Sequence, residues 1–164
     1  GLGLGAYLSE LVVRGNFPLA FIPAIVFALS ALISFATGTS WGTFGIMIPL
    51  VMPIAVGLAR AKGLDPGALV NSSMICTAGV VGGAVFGDHA SPISDTTILS
   101  STGAGCPHLE HVATQMPYAV FVAVSSLIGF FFGGLFMNMI VAWIVFAVVL
   151  ALGLVLLPGT VKSE

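Results

Sequence analysis

Two long uncharged stretches limit what this chain can fold into. No charged residue occurs between Arg14 and Arg60, and none occurs between Glu110 and Lys162. Each stretch exceeds the roughly 20 apolar residues that a membrane-spanning helix needs. Charged residues make up only 6% of the chain, its mean hydropathy is +1.16, and about a quarter of a soluble domain is charged. The sequence therefore predicts an all-α integral membrane protein with about five to six membrane segments.

The small net charge excludes one class of partner. A net charge of −2 without basic clusters offers no surface for nucleic acid, which proteins bind through lysine and arginine. Cys76 and Cys106 have no metal-binding or disulfide spacing, so we expect two free thiols. We also expect no cofactor. The chain starts at Gly1 without a signal-peptide pattern, which indicates a piece of a longer protein.

The first part of the chain predicts a helical hairpin over residues 17–59. An apolar arm at Phe17–Ala36 is followed by the polar sequence TGTSWGT at Thr37–Thr43 and by a shorter arm at Phe44–Ala59. Such arms form either two spans with a tight turn or a re-entrant hairpin whose tip stops inside the membrane. Because the second arm is short, we favour the re-entrant form, whose polar tip needs protein or water around it.

The next segment predicts a broken helix over residues 67–103. Pro92 removes a backbone donor and disfavours helix in the residue before it. A shorter helix then starts near Ser94 or Asp95, which are both good N-cap residues. Three glycines before the break share one helix face, where they favour close packing against a second helix: Gly79, Gly83 and Gly87.

Residues 111–157 predict two further membrane helices. The connection before them contains CPHLEH, in which His108, Glu110 and His111 form a weak metal-binding pattern. A solvated loop explains that pattern better, so we expect no metal there. Together the segments predict a single membrane domain over residues 1–164.

The break places many oxygen atoms inside an apolar chain. Non-helical backbone at membrane depth survives only where it faces protein or water, and transporters use such breaks to hold ions. Carboxylate, hydroxyl and carbonyl oxygens together suit a small hard cation such as Na+. The predicted Na+ ligands are the carboxylates of Asp88 and Asp95. Further candidates for binding the ion or a proton are His89, Ser91, Ser94, Thr96 and Thr97 in the break, and Thr37, Thr39, Ser40 and Thr43 in the tip.

A proton and a sodium ion compete for a buried carboxylate, because desolvation favours the neutral acid and a bound cation favours the anion. Such competition is the chemistry of antiport. Simpler roles stay open beside it. Asp88 can accept hydrogen bonds from the freed backbone, and Asp95 fits an N-cap as well as an ion ligand. His89 fits a structural bond to a carbonyl or to Asp95 somewhat better than a proton relay.

Two sequences resemble the NhaC-type Na+/H+ antiporter family, within a broader ion-transporter group. They are FGDHASPISDTTILSS at Phe86–Ser101 and SFATGTSWGTFGIMIPL at Ser34–Leu50. The resemblance implies two inverted repeats, each a hairpin followed by a broken helix, that meet around ion sites inside the membrane. This chain would be the carboxy-terminal repeat and would lack the amino-terminal half. At Ala90 the family frequently has cysteine, and the small alanine should preserve function.

The same resemblance implies Na+/H+ exchange by a multi-pass protein in a prokaryotic cell membrane. Exchange of organic acids such as malate and lactate, coupled to those ions, is an alternative within the family. The partners are then Na+, H+, the bilayer and the missing half of the transporter, and a homodimer is left open. The orientation also stays open, because Arg14, Arg60 and Lys62 favour a cytoplasmic location for their end whereas an inverted second repeat implies the opposite.

Two other classes of protein fit less well. An intramembrane aspartyl hydrolase would have a GxGD motif, but Val85 occupies the position of its first glycine before Asp88. A purely structural membrane subunit would not explain two polar interruptions of apolar helices. We therefore expect a transporter and not an enzyme.

Overall fold

The computed structural model describes residues 3–156, which form seven α-helices without strands. Five helical segments are long and apolar enough to cross a membrane, and one of these is the second helix together with the 3-10 turn before it. The predicted all-α membrane architecture is confirmed. The elements are α1 Leu4–Arg14, the 3-10 turn Leu19–Phe21, α2 Ile22–Thr37, α3 Ser40–Ala61, α4 Pro66–Ala90, α5 Asp95–Gly103, α6 His108–Phe136 and α7 Met139–Leu156.

A link of two residues joins α2 to α3. Gly38 ends α2 in the left-handed conformation, with a φ of 68°. Thr39 is extended and caps α3, since its hydroxyl oxygen accepts the N–H of Gly42 at 3.3 Å. The hydroxyl of Thr43 donates to the Thr39 carbonyl at 2.9 Å. Most of the polar tip is therefore the first turn of α3 and not a loop.

The prediction of a short second arm at Phe44–Ala59 is wrong. Helix α3 has 22 residues and is about 33 Å long at 1.5 Å per residue, enough to cross a hydrocarbon layer of about 30 Å. The sequence pattern misled because Ser40 and Thr43 are polar, although their hydroxyls are satisfied inside the bundle. A tip that stops inside the membrane stays a prediction.

Helices α2 and α4 are parallel and touch along their backbones. The Ser91 hydroxyl, just beyond α4, donates to the Phe35 carbonyl at 2.8 Å. A Cβ atom on Gly79 would lie 2.6 Å from the Pro23 oxygen, so only glycine leaves enough room there. Four such contacts follow one another along the two helices, and each joins residues that are 56 positions apart in the sequence. These pairs, called the α2–α4 backbone contact below, are Pro23 with Gly79, Phe27 with Gly83, Ala31 with Gly87 and Phe35 with Ser91.

The broken helix consists of α4, a link at residues 91–94, and α5. Helix α4 ends at Ala90, two residues before Pro92, which has no N–H to continue the helix. The N–H of Ser91 bonds back to the Asp88 carbonyl at 3.2 Å. Carbonyls in the last turn of a helix lack partners within that helix. At this break they need partners from other elements.

The apolar core lies between α2, α3 and α4. Helix α1 covers α3 from outside, and the Ser9 hydroxyl donates to the Pro53 carbonyl at 2.9 Å. Helix α7 packs mainly on α6, with a small contact to α4, and has a single buried residue, Ala142. The most buried apolar residues of the core are Leu19, Ala55, Leu58, Ala59, Cys76 and Val80.

Helix α6 is antiparallel to α2 and α4. Gly134, near its carboxyl end, lies against the carbonyl of Ala20, and Gln115, near its amino end, reaches the carbonyl of His89. The tip of the hairpin, the break and the amino end of α6 are therefore at one end of the bundle. The charged link between α3 and α4 is at the other end.

Candidate functional site

Asp88 is a buried carboxylate where the hairpin tip meets the break. It lies in the last turn of α4 and its side chain is 8% exposed. The hydroxyl of Ser40, in the first turn of α3, donates to Oδ2 at 2.9 Å. The hydroxyl of Ser94, in the break, donates to Oδ1 at 2.6 Å. We call these three residues the Asp88 cluster.

No basic side chain pairs with Asp88 in the described part of the chain. The one salt bridge there joins Glu10 to Arg14, which are both exposed on α1. Arg60 and Lys62 lie at the opposite end of the bundle, at the carboxyl end of α3. Buried charges in proteins are usually paired with an opposite charge or bind a metal ion, so Asp88 is a candidate for cation binding.

The hydroxyl groups of the break divide between two tasks. Ser94 contacts Asp88 and also lies 2.7 Å from the Thr96 hydroxyl, which extends the polar cluster by one oxygen. The Ser91 hydroxyl instead donates to the Phe35 carbonyl of α2. The Thr97 hydroxyl donates to the His89 carbonyl at 3.2 Å. Ser94 and Thr96 thus belong with Asp88, whereas Ser91 and Thr97 satisfy freed backbone carbonyls.

Only one of the four predicted tip residues reaches Asp88. Ser40 does so through its hydroxyl. Thr37 donates to the Ile33 carbonyl of its own helix, and Thr39 caps α3. Thr43 is buried beneath the tip and bonds to the Thr39 carbonyl. These three threonines shape the tip instead of contacting the carboxylate.

Asp95 and His89 lie outside the Asp88 cluster. Asp95 is the exposed first residue of α5, and its carboxylate accepts the N–H of Thr96 at 2.9 Å. Ser94 has the N-cap position of α5, but its hydroxyl makes no capping bond because it donates to Asp88. The His89 ring is exposed and makes neither predicted bond within residues 3–156. Instead, the backbone carbonyl of His89 accepts hydrogen bonds from Thr97 and Gln115.

The polar face at the amino end of α6 was not predicted from the sequence. Within residues 3–156 no three metal-ligating side chains lie together, yet the prediction of a solvated loop is wrong for His108. This residue begins α6, is half-buried and contacts the break. His111 contacts Ser100 of α5. The spacing of His108, His111 and Gln115 by three and four residues, which puts them on one helix face, was the available signal.

Comparisons with known proteins point to one family. Residues 1–135 match the model of the Na+/H+ antiporter family. An uncharacterized protein of Haemophilus influenzae is 52% identical over 126 residues, covering 77% of this chain and 22% of the relative. An uncharacterized Na+/H+ antiporter of the same organism is 42% identical over 86 residues, covering 52% of this chain and 16% of the relative.

A third relative is a malate-2H+/Na+-lactate antiporter of Bacillus subtilis. It is 32% identical over 149 residues, covering 81% of this chain and 30% of the relative. The chain thus spans less than a third of the length of these curated relatives. No solved structure matches it.

Proposed function

This chain belongs to the Na+/H+ antiporter family, and from that premise we propose that it forms the carboxy-terminal part of a transporter that exchanges Na+ for H+ across a cell membrane. The observation that carries the proposal is the Asp88 cluster. A buried carboxylate with hydroxyl donors and no basic partner is a group that binds a small cation or a proton.

The cluster can serve both ions with the same atoms. The hydroxyls of Ser40 and Ser94 direct their hydrogens to the Asp88 carboxylate and keep oxygen lone pairs for a cation. Sodium favours this kind of all-oxygen surrounding. When Asp88 is protonated instead, a serine hydroxyl can rotate and accept a hydrogen bond from the carboxyl O–H. Thr96 supplies a further oxygen beside Ser94.

Exchange follows from the cost of leaving the site empty. Antiport requires that the form with neither ion bound be rarely populated, and a buried carboxylate whose partners are two neutral hydroxyls favours this. If the site reaches each side of the membrane only while it holds Na+ or H+, entry of one ion requires release of the other. The coupling needs no further titrating group in this chain.

Asp95 stays the predicted second carboxylate. Its side chain is exposed and takes only one N–H from its neighbour, so it remains accessible to an ion or to another part of the transporter. We further propose that an amino-terminal repeat completes the site and that the bilayer surrounds both repeats. A homodimer is compatible with this arrangement.

An organic-acid exchanger is the second candidate. A cavity of about 420 Å³ lies between α2, α4 and α6, and its wall includes His89, Gln115 and Tyr118. That volume exceeds the need of a sodium ion and suits a small organic molecule. The similarity to the malate-2H+/Na+-lactate antiporter over 81% of the chain favours the same alternative.

The test is a sodium-driven change of internal pH in liposomes that contain the complete transporter. Asp88→Asn should abolish the change, because asparagine keeps the shape of aspartate and can bond both serine hydroxyls, accepting from one and donating to the other, but cannot exchange a proton. Asp65→Asn is the matched control, since Asp65 is an exposed cap of α4 and asparagine also caps well. Exchange at the wild-type rate in Asp88→Asn would refute the proposal.

Two further measurements refine this test. Because protons compete with sodium, the Na+ concentration for half-maximal exchange should fall as the pH rises. A Na+ dependence that is the same at every pH would contradict a shared site. Uptake of labelled malate or lactate that depends on a sodium or proton gradient would establish the second candidate.

A further inference from the structure

The amino end of α6 holds the broken helix at several points. The Nε2 atom of His108 lies 2.7 Å from the Pro92 carbonyl oxygen, and its Nδ1 atom lies 3.1 Å from the Ser101 hydroxyl of α5. Gln115, seven residues further along α6, donates to the His89 carbonyl at 2.9 Å. One face of α6 therefore contacts α4, the link and α5.

The chemistry of these atoms fixes the role of the His108 ring. A carbonyl oxygen only accepts hydrogen bonds, so Nε2 carries the hydrogen and donates to Pro92. The Ser101 hydroxyl donates to the Ile98 carbonyl at 2.9 Å and can accept from Nδ1 in that state, or it can turn from Ile98 and donate to Nδ1, so the contact with α5 persists whether the ring is neutral or charged. The bond to Pro92 likewise needs only one ring hydrogen. The ring thus ties the link to α5 in either protonation state.

The link at residues 91–94 is held at three points before Ser94. The Ser91 hydroxyl donates to the Phe35 carbonyl of α2, and the Ile93 carbonyl packs against Gly38. Between these two residues, the Pro92 carbonyl is held by His108. Ser94 follows and donates to Asp88 at 2.6 Å. The bond from His108 is therefore one of three contacts that set the position of the Ser94 hydroxyl.

We propose that His108 is a positioning residue for the Asp88 cluster. Its Nε2–H fixes the Pro92 carbonyl, and this fixes the link so that the Ser94 hydroxyl points to Asp88. The inference rests on the proposed function insofar as it concerns sodium, because the cluster is where sodium would bind. The restraint on the link itself follows from the contacts alone.

Two substitutions at one position separate this role from a general loss of packing. In His108→Gln the side-chain nitrogen is as many bonds from Cα as Nε2, so it can still donate to Pro92. In His108→Asn the nitrogen corresponds to Nδ1, so it can reach Ser101 but not Pro92. His111→Asn is a matched control, because His111 contacts Ser100 and not the link.

The experiment measures hydrogen exchange of the link amides and sodium-dependent exchange in the complete transporter. His108→Asn should speed amide exchange in residues 91–94 and raise the half-maximal Na+ concentration about tenfold, with little change in the maximal rate. His108→Gln and His111→Asn should stay within about twofold of wild type, since they keep the bond to Pro92.

Amide exchange also keeps this inference distinct from the proposed function. If Asp88→Asn shows that sodium does not use the cluster, faster amide exchange in His108→Asn alone still supports the restraint on the link. Equal amide protection in the Gln and Asn variants, whether both are like wild type or both are reduced, would overturn the role of the Nε2 donor.

Discussion

Replacing Gly83 with alanine would place a methyl group inside the α2–α4 backbone contact. The new Cβ would lie 2.8 Å from the carbonyl carbon of Phe27 and 3.0 Å from its Cα, and it would overlap the carbonyl oxygen more severely. Ordinary contact begins at 3.4 Å. Because these atoms are backbone, no side chain can rotate away, and the two helices must separate by at least about 0.6 Å.

That separation has a cost that the neighbouring bonds increase. Overpacking of this kind typically costs about 1 to 3 kcal/mol. The bond from Ser34 Oγ to the Ala84 carbonyl is 2.6 Å long, and the separation would stretch it beyond the usual range. Alanine returns up to about 1 kcal/mol through its better helix propensity. The net expectation is a loss of about 2 kcal/mol, or on the order of 2 °C in the melting temperature of a transporter as long as the matched relatives.

The assay is thermal unfolding of the complete transporter in detergent, with Gly82→Ala as the control. At Gly82 the new Cβ would meet the Phe130 ring at 3.4 Å and the Phe27 ring at 3.5 Å, which are ordinary contacts. The two glycines are adjacent in α4, so membrane depth and helix propensity match. Gly83→Ala should lower the melting temperature and the exchange rate, whereas Gly82→Ala should lower neither and should gain from the better helix propensity of alanine. Equal melting temperatures for the two variants would refute the proposed packing.

Three further predictions concern the site. Ser40→Ala and Ser94→Ala should each raise the half-maximal Na+ concentration several-fold, since each removes one donor from Asp88 and one oxygen from the ion. An unchanged concentration in both variants would show that these hydroxyls do not contact the ion. Asp95→Asn should raise that concentration about tenfold or more, as expected for a lost charge-assisted contact, and an unchanged value would leave Asp95 with only its bond at the start of α5. Thr39→Cys should react with small thiol reagents from one side and be protected by Na+, whereas labelling by bulky reagents that sodium does not affect would place the tip in an ordinary external loop.

The break was predictable because its cause is local. Pro92 lacks an N–H and disfavours helix before it, and these effects act within a few residues. The apolar helices were predictable for a similar reason, since hydropathy is a property of each segment. Asp88 followed from the same local logic, as a carboxylate beside a break in an uncharged region.

The partners of Asp88 were not predictable, because they depend on contacts between distant segments. Ser40 lies 48 residues from Asp88 in the chain, and only the α2–α4 backbone contact brings the tip to the break. Ser91 and Ser94 look equivalent in the sequence, yet the first faces a carbonyl of α2 and the second faces the carboxylate. His108 was misassigned because its partner is a backbone carbonyl oxygen, a group that every residue has and that the sequence therefore does not reveal.

The α2–α4 backbone contact has a mechanical consequence. Its four pairs share one offset, so α2 can slide along α4 only by a full step of four residues, about 6 Å. Any smaller slip would drive side chains of α4 into the carbonyls of α2. We therefore expect the hairpin and the broken helix to move as one rigid body. For the proposed exchange, the conformational change that exposes the ion to either side is then expected at the outer surfaces of this body, while Ser40 and Asp88 keep their contact.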